Sequence, residues 1–184
     1  MLLKRIMYFA VTLFLVIDMS GCAIYSAAVD QRNVRTIASD TKIKVAIEKA
    51  FVKDKTINIL KISPFVYNGH AYLTGEYGKD AQKRRAISLA RKTKGVKDLT
   101  TYLLPVNKGD YCGVTDNAAM ATKVKSELIR DKKIWAGNIN VEAVQCHIVL
   151  LGIVGTKAER NKVVAHAKGV DKVRSVKSFL QVGK

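Results

Sequence analysis

The chain has 184 residues, of which 26% are charged, and 32 Lys and Arg against 15 Asp and Glu leave a formal charge of +17. Such a basic excess implies an acidic partner or surface, although a solvated basic face with no partner would look the same in sequence. Three cysteines and three histidines show no spacing that suits zinc.

The first element is a leader. Met1-Leu2-Leu3-Lys4-Arg5 precedes an apolar run from Ile6 to Ile17 and then Met19-Ser20-Gly21-Cys22. A basic start, a short apolar stretch and small residues before a cleavage point are the pattern of a secretory signal. The run is shorter than the about 20 residues a membrane-spanning helix needs. Cys22 after Ser-Gly resembles the bacterial lipobox, in which that cysteine is acylated and becomes the mature N-terminus. Met19 in the place of leucine and Asp18 close to the cleavage point depart from that pattern. An uncleaved anchor or an ordinary signal is the alternative. Losing residues 1–21 removes Lys4, Arg5 and Asp18 and takes the charge from +17 to +16. Export argues against nucleic acid as the partner and leaves anionic lipid, lipopolysaccharide or acidic proteins. With Cys22 lipidated, Cys112 and Cys146 remain as one candidate disulfide pair.

Past a lead-in at residues 22–39, Ile43, Ala46, Ile47, Ala50 and Phe51 recur at helical spacing with Lys42, Lys44, Lys49 and Lys53 facing out. Two strand-like runs follow around Asn68-Gly69, the dipeptide that a tight hairpin turn prefers. The returning strand, Ala71-Tyr72-Leu73, is expected to end at Gly75. A basic helix is predicted over about residues 81–92, and a last strand over 99–104. The turn-rich Asn107-Lys108-Gly109-Asp110-Tyr111-Cys112-Gly113 then begins a linker at residues 107–115.

After the linker the pattern starts again. A shift of 77 residues lays the chain on itself without a gap, Asp54-Lys55 meeting Asp131-Lys132, His70 meeting His147, and Gly75 and Gly78 meeting Gly152 and Gly155. A constant register over so many matches is an internal duplication. In the second copy Met120, Val124 and Leu128 form the helix stripe. Ile139, Val141 and Ala143 alternate as a strand, and Gln145-Cys146 replaces Asn-Gly as a poorer turn. The expected architecture is α+β: two tandem αββαβ units at residues 40–106 and 116–184, each a three-stranded sheet with two helices on one face.

This pattern resembles the BON domain (bacterial OsmY and nodulation). The carrying residues are the glycine in LTGEYGKDAQ and LLGIVGTKAE, the alanine-containing helix after it, and the endings GVKDLTTYL and KVRSVKSFL. Lys172 stands where the first copy has Gly95. The lead-in DQRNVRTIASD is similar to that of dual-BON-domain outer-membrane lipoproteins of the DolP type. The resemblance implies a non-catalytic module that binds phospholipid or protein partners and supports envelope integrity.

Catalytic chemistry finds no purchase in the residues. His70 and His147 match between copies but have no second ligand nearby in sequence. Asp54 and Asp131 look like loop residues rather than an acid and base facing across a cleft. The glycines before each second helix lack the phosphate-cradling forms, and turning between strand and helix explains them. No enzyme activity and no cofactor are expected.

One surface is not explained by a solvated fold. The sheet face away from the helices carries Phe65, Tyr67 and Tyr72 in one copy and Val144, Val149 and Leu151 in the other. Apolar patches of that kind mark an interface. Packing of the two sheets on each other is the favoured reading, and a partner for each is the alternative.

The reading that follows is a lipid-anchored protein on the periplasmic face of the outer membrane, binding anionic phospholipid, with a tethered protein-interaction module as the alternative. Ala23 after Cys22 lacks the aspartate that signals inner-membrane retention. The lipid-binding surface is placed on Lys123, Lys125, Arg130, Lys132, Lys133 and Trp135. The pairing of Cys112 with Cys146 is expected because a helix of about 14 residues and the strand running back along it cover similar lengths. The hairpin tip bearing Cys146 should thus return near the helix start.

Overall fold

The computed structural model describes residues 32–58 and 61–183. The predicted leader, Cys22 and the lead-in up to residue 31 lie outside these residues. The first element is helix α1 (Val34–Lys53), capped by Asn33, whose side-chain oxygen accepts the Thr36 N–H at 2.8 Å. It therefore begins inside the stretch read as lead-in, because neither glycine nor proline interrupts the chain between that cap and Lys53. Ile43, Ile47 and Phe51, four residues apart, form its buried stripe.

Strands β1 (Ile62–Tyr67) and β2 (His70–Tyr77) pair antiparallel, helix α2 (Asp80–Lys92) crosses over, and β3 (Asp98–Pro105) returns parallel to β2. A parallel return needs such a crossover, and the helix supplies it. The second domain repeats the order with α3 (Val114–Arg130), β4 (Ile139–Val144), β5 (His147–Val154), α4 (Lys157–Gly169) and β6 (Ser175–Val182). A short 3-10 turn, Ala136–Asn138, leads into β4. The sheets have the orders β1-β2-β3 and β4-β5-β6.

The glycines after the returning strands have a different role from the one expected. Strands β2 and β5 do not end at Gly75 and Gly152 but run on to Tyr77 and Val154. Gly75 and Gly152 lie within them at φ of 127° and 138°. A Cβ at either position would fall 1.9 Å from the Lys61 carbonyl oxygen or 2.1 Å from that of Asn138. The backbone entering the edge strand passes too closely for any side chain there.

Each hairpin turn has both central residues at positive φ: Asn68 and Gly69 at 55° and 79°, Gln145 and Cys146 at 50° and 58°. In the first domain the buried Asp40 carboxylate accepts both turn amides, Asn68 N–H and Gly69 N–H, each at 2.8 Å, and pairs with Arg32 at 2.6 Å. Asn117 takes the same place in the second domain and accepts the Cys146 N–H at 2.9 Å. Left-handed geometry costs a non-glycine residue about 1 kcal/mol, so Gln145 and Cys146 need more ties. Cys146 is joined by a disulfide to Cys112, with Cα atoms 5.7 Å apart. Arg174 reaches the Gln145 carbonyl at 3.1 Å, pairs with Asp110 and lies over the Tyr111 ring at 4.6 Å from its centre. The linker segment Asp110–Cys112 is thereby clamped to the second domain.

Each domain has its own core between sheet and helices. In the first it is built on Ile47, Phe51, Ile62 and Leu73, with Ala86 and Ala90 letting α2 approach the sheet closely. In the second it is built on Val124, Leu128, Ile148, Leu150 and Val163. A third cluster lies between the two sheets, where Tyr67 and Tyr72 meet Val149, Leu151 and Ile153, flanked by Phe65, Tyr102 and Phe179. Several polar groups bond across it: Asn140 donates to the Tyr67 hydroxyl at 2.6 Å, Gln181 to the Tyr72 hydroxyl at 3.1 Å, and Gln145 to the Pro105 carbonyl at 2.7 Å. The buried Thr74 hydroxyl has no hydrogen-bond partner among the described residues. The sheets are packed back to back, so the two helical layers face outwards in opposite directions.

Candidate functional site

The buried positions of α3, Met120, Val124 and Leu128, leave its C-terminal turn with an outward face. There the helix ends at Arg130, and Asp131 to Trp135 turn the chain towards β4. In this loop only Ile134 faces in, so Lys132, Lys133 and Trp135 are left exposed, Trp135 at 52%. The loop is held from below. Glu159 of α4, itself buried, accepts the Trp135 N–H through Oε1 and the Gly155 N–H through Oε2, both at 2.8 Å. The indole is displayed on a fixed backbone rather than filling a core.

Five of the six residues expected to bind lipid, Lys123, Arg130, Lys132, Lys133 and Trp135, are exposed at this end of the domain. Lys125 is not among them. Its ammonium turns under the helix and donates to the carbonyl oxygens of Ala136 at 2.5 Å and Ile139 at 2.6 Å. Burial lowers its pKa. The Lys125 stem reaches the loop entering β4, and its charge is spent on two backbone acceptors. Sequence reading also missed Ile129, which is 64% exposed. The available signal was its place one residue past Leu128, off the buried stripe.

A groove of about 750 Å³ runs between α3 and α4 beside this loop, lined by Lys123, Arg130, Lys162 and His166 with Glu127 and Asp131. The Lys133 N–H holds the Asp131 carboxyl at a pKa of about 2, assisted by His166 at 3.1 Å and Lys162 at 3.4 Å. Arg130 is paired with Glu127 at 2.6 Å. This part of the domain thus exposes two large apolar side chains, Ile129 and Trp135, along with the basic Lys123, Arg130, Lys132 and Lys133. Lysine stems can cover apolar surface while their heads meet phosphate, and an amphipathic indole suits a membrane–water boundary.

The other candidate positions have structural partners. His70 Nε2 lies 2.8 Å from the Thr100 hydroxyl, with its ring stacked on Tyr72, and His147 Nδ1 lies 2.8 Å from the Ser175 hydroxyl. The Asp54 carboxyl is held at a pKa of about 2 by the Thr56 side chain and then by Arg85. The amides of Gly78 and Gly155 donate to Gln82 and Glu159, so these turns present no free cradle for a phosphate. Among the described residues, no group of three or more His, Cys, Asp or Glu is placed to hold a metal ion. No helix among them is long and apolar enough to cross a membrane.

Comparison with known proteins agrees with the duplicated architecture. The family model of the BON domain matches residues 39–104 and 116–184. The chain is 27% identical over 165 residues to the Outer membrane lipoprotein DolP of Haemophilus influenzae, covering 89% of this chain and 83% of that protein. It is 25% identical over 150 residues to the Osmotically-inducible protein Y of Escherichia coli, covering 80% and 75%. The C-terminal domain of CdsD, a structural protein of the Type III secretion system of Chlamydia trachomatis, overlaps 78% of this chain and 66% of its own. At 15% identity and a TM-score of 0.32 that superposition is too loose to argue from. With two matched segments spanning most of its length, the chain belongs to the BON domain family and carries two copies of the domain.

Proposed function

We propose that this protein is a non-catalytic, lipid-anchored component of the bacterial envelope that binds anionic phospholipid through its second domain and supports outer-membrane integrity. The observation that carries the reading is the display of Trp135 and Ile129, 52% and 64% exposed, among Lys123, Arg130, Lys132 and Lys133. Exposed apolar side chains combined with basic ones are the composition that seats a protein at a charged bilayer surface. The leader at residues 1–21 before Cys22 and the likeness to an outer-membrane lipoprotein support the location.

Trp135 is the single tryptophan, so its emission reports this site alone. Titration with vesicles containing phosphatidylglycerol should shift that emission to the blue, and phosphatidylcholine vesicles should not. Each basic residue near an anionic surface contributes about 1 kcal/mol, so combined Lys123→Glu, Lys132→Glu and Lys133→Glu changes should weaken binding roughly a hundredfold or more. Unaltered affinity in that variant would move the site elsewhere. No binding by the parent would favour a protein partner. Mass spectrometry of the mature N-terminus tests the anchor, which predicts acyl chains on Cys22.

A further inference from the structure

We propose that the outward helical layer of the first domain is a second site for anionic bilayers, so that one molecule bridges two lipid surfaces. The proposal rests on the reading of the second domain as a lipid-binding module and extends it to the opposite side of the molecule.

The geometry comes first. The cluster of Tyr67, Tyr72, Val149 and Leu151 joins the two sheets by the faces that carry no helices. Helices α1 and α2 therefore form one outer face and α3 and α4 the other. A planar membrane that meets one of these faces leaves the other directed away from it.

Charge comes next. Residues 79–97, which contain α2, hold eight Lys or Arg and one acidic residue, whereas the matching residues 156–174 hold six and two. Arg84, Arg91 and Lys92 recur at spacings of seven and eight, which places them on one exposed stripe of α2. Among the described residues Arg84, Arg91, Lys92 and Lys94 are exposed and enter no ion pair, while Arg85 is held by Asp54. The neighbouring face of α1 adds Lys42, Lys49 and Lys53, interleaved with Val45 and Val52, which are 38% and 67% exposed. Val52 stands where the second copy has the exposed Ile129.

These cations are spread over an open layer with aliphatic side chains among them and do not converge on a point. A flat, extended anionic surface complements that layout, and a bilayer of acidic phospholipid is such a surface. The consequence is bivalency: the chain should draw vesicles together as well as bind them.

The test uses the chain from residue 22 with Cys22→Ser, since residues 32–183 close both cores and the inter-sheet cluster among themselves. Vesicle binding is followed by co-sedimentation, and clustering by light scattering, with phosphatidylglycerol vesicles in low salt. The parent should bind and cluster vesicles, with clustering greatest below saturation because excess protein coats every vesicle. An Arg84→Glu, Arg91→Glu, Lys92→Glu variant should still bind through Trp135 but cluster at least roughly tenfold less. A Lys132→Glu, Lys133→Glu, Trp135→Ala variant should retain weak binding through the first domain and also fail to cluster. Binding by the parent without clustering, or clustering unchanged in the first variant, overturns the bridging proposal and leaves the second-domain site standing. Absence of any binding by the parent overturns both.

Discussion

Trp135 hangs from Glu159: its backbone N–H donates to Oε1 of that buried carboxylate at 2.8 Å, while Oε2 takes the N–H of Gly155. One side chain of α4 thus positions the exposed indole and closes the turn before its own helix. In the first domain Gln82 accepts the Gly78 N–H in the same way, and Asn58 stands where Trp135 would be.

Replacing Glu159 by alanine should leave two amide donors without their acceptor. That loss costs about 1–3 kcal/mol per buried group, and urea denaturation should show a drop of that order. The Trp135 fluorescence anisotropy should fall in the folded protein as the loop loosens. A stability loss with unchanged anisotropy would mean that the rest of the loop, not Glu159, holds the indole.

The disulfide should matter to the second domain alone. Closing the loop between Cys112 and Cys146, 34 residues apart in sequence, should stabilise the fold by about 3–4 kcal/mol in the chain-entropy account. A Cys112→Ser, Cys146→Ser variant should lose that much in denaturant melts. Cys112→Ser with Cys146→Gly should recover about 1 kcal/mol of it, because glycine adopts the positive φ of the turn freely. Equal stability of the two variants would show that the turn conformation costs nothing.

Acid should weaken both domains through the same position in the repeat. The Asp54 and Asp131 carboxyls titrate at about 2 in the folded protein, below the ordinary 3.8. A depressed carboxylate pKa adds stability that is fully present above the unfolded value and is lost as pH falls through the folded one. Their contribution should therefore be complete at pH 5 and disappear between about pH 4 and pH 2. An Asp54→Asn, Asp131→Asn variant should be less stable than the parent at pH 7, with the gap narrowing across that window in urea melts.

Gly75→Ala or Gly152→Ala should be among the most damaging single changes. The added methyl would lie 1.9 Å or 2.1 Å from the carbonyl oxygen of Lys61 or Asn138, the residue just before the edge strand. Opening that crossing should cost on the order of 3 kcal/mol or more, in the exceptional tail of point substitutions. A melting temperature unaltered by either change would mean that β1 or β4 moves aside freely.

The regular elements were legible because their signals are local. Ile43, Ile47 and Phe51 at four-residue spacing describe α1 from the side chains alone, and the 77-residue register located the second copy of every element. Asn33 marks the start of α1 by its capping chemistry, one turn and more ahead of the first residue of that stripe. The matching glycines are visible as pairs in the sequence, but their reason is not, since the carbonyl oxygen of Lys61 that approaches Gly75 lies fourteen residues earlier, just before β1.

The surface was legible in part. Helical periodicity separates an exposed lysine from a buried leucine, which is enough to select Lys123 and Arg130. It does not say where a long side chain ends, and Lys125 ends on the carbonyls of Ala136 and Ile139, eleven and fourteen residues away. Trp135 follows the same logic, because its exposure is set by Glu159, 24 residues further along the chain.

The sequence by itself determined the αββαβ unit, its duplication and the basic helices, since hydrophobic period, turn chemistry and charge act between near neighbours. Only the tertiary structure decided which apolar sheet faces meet, that Gln145 and Cys146 are held at positive φ by Asn117, Arg174 and Cys112, and which cations remain free. Those outcomes depend on contacts between segments far apart in the chain. The folded arrangement alone shows whether a backbone carbonyl or water receives a given donor.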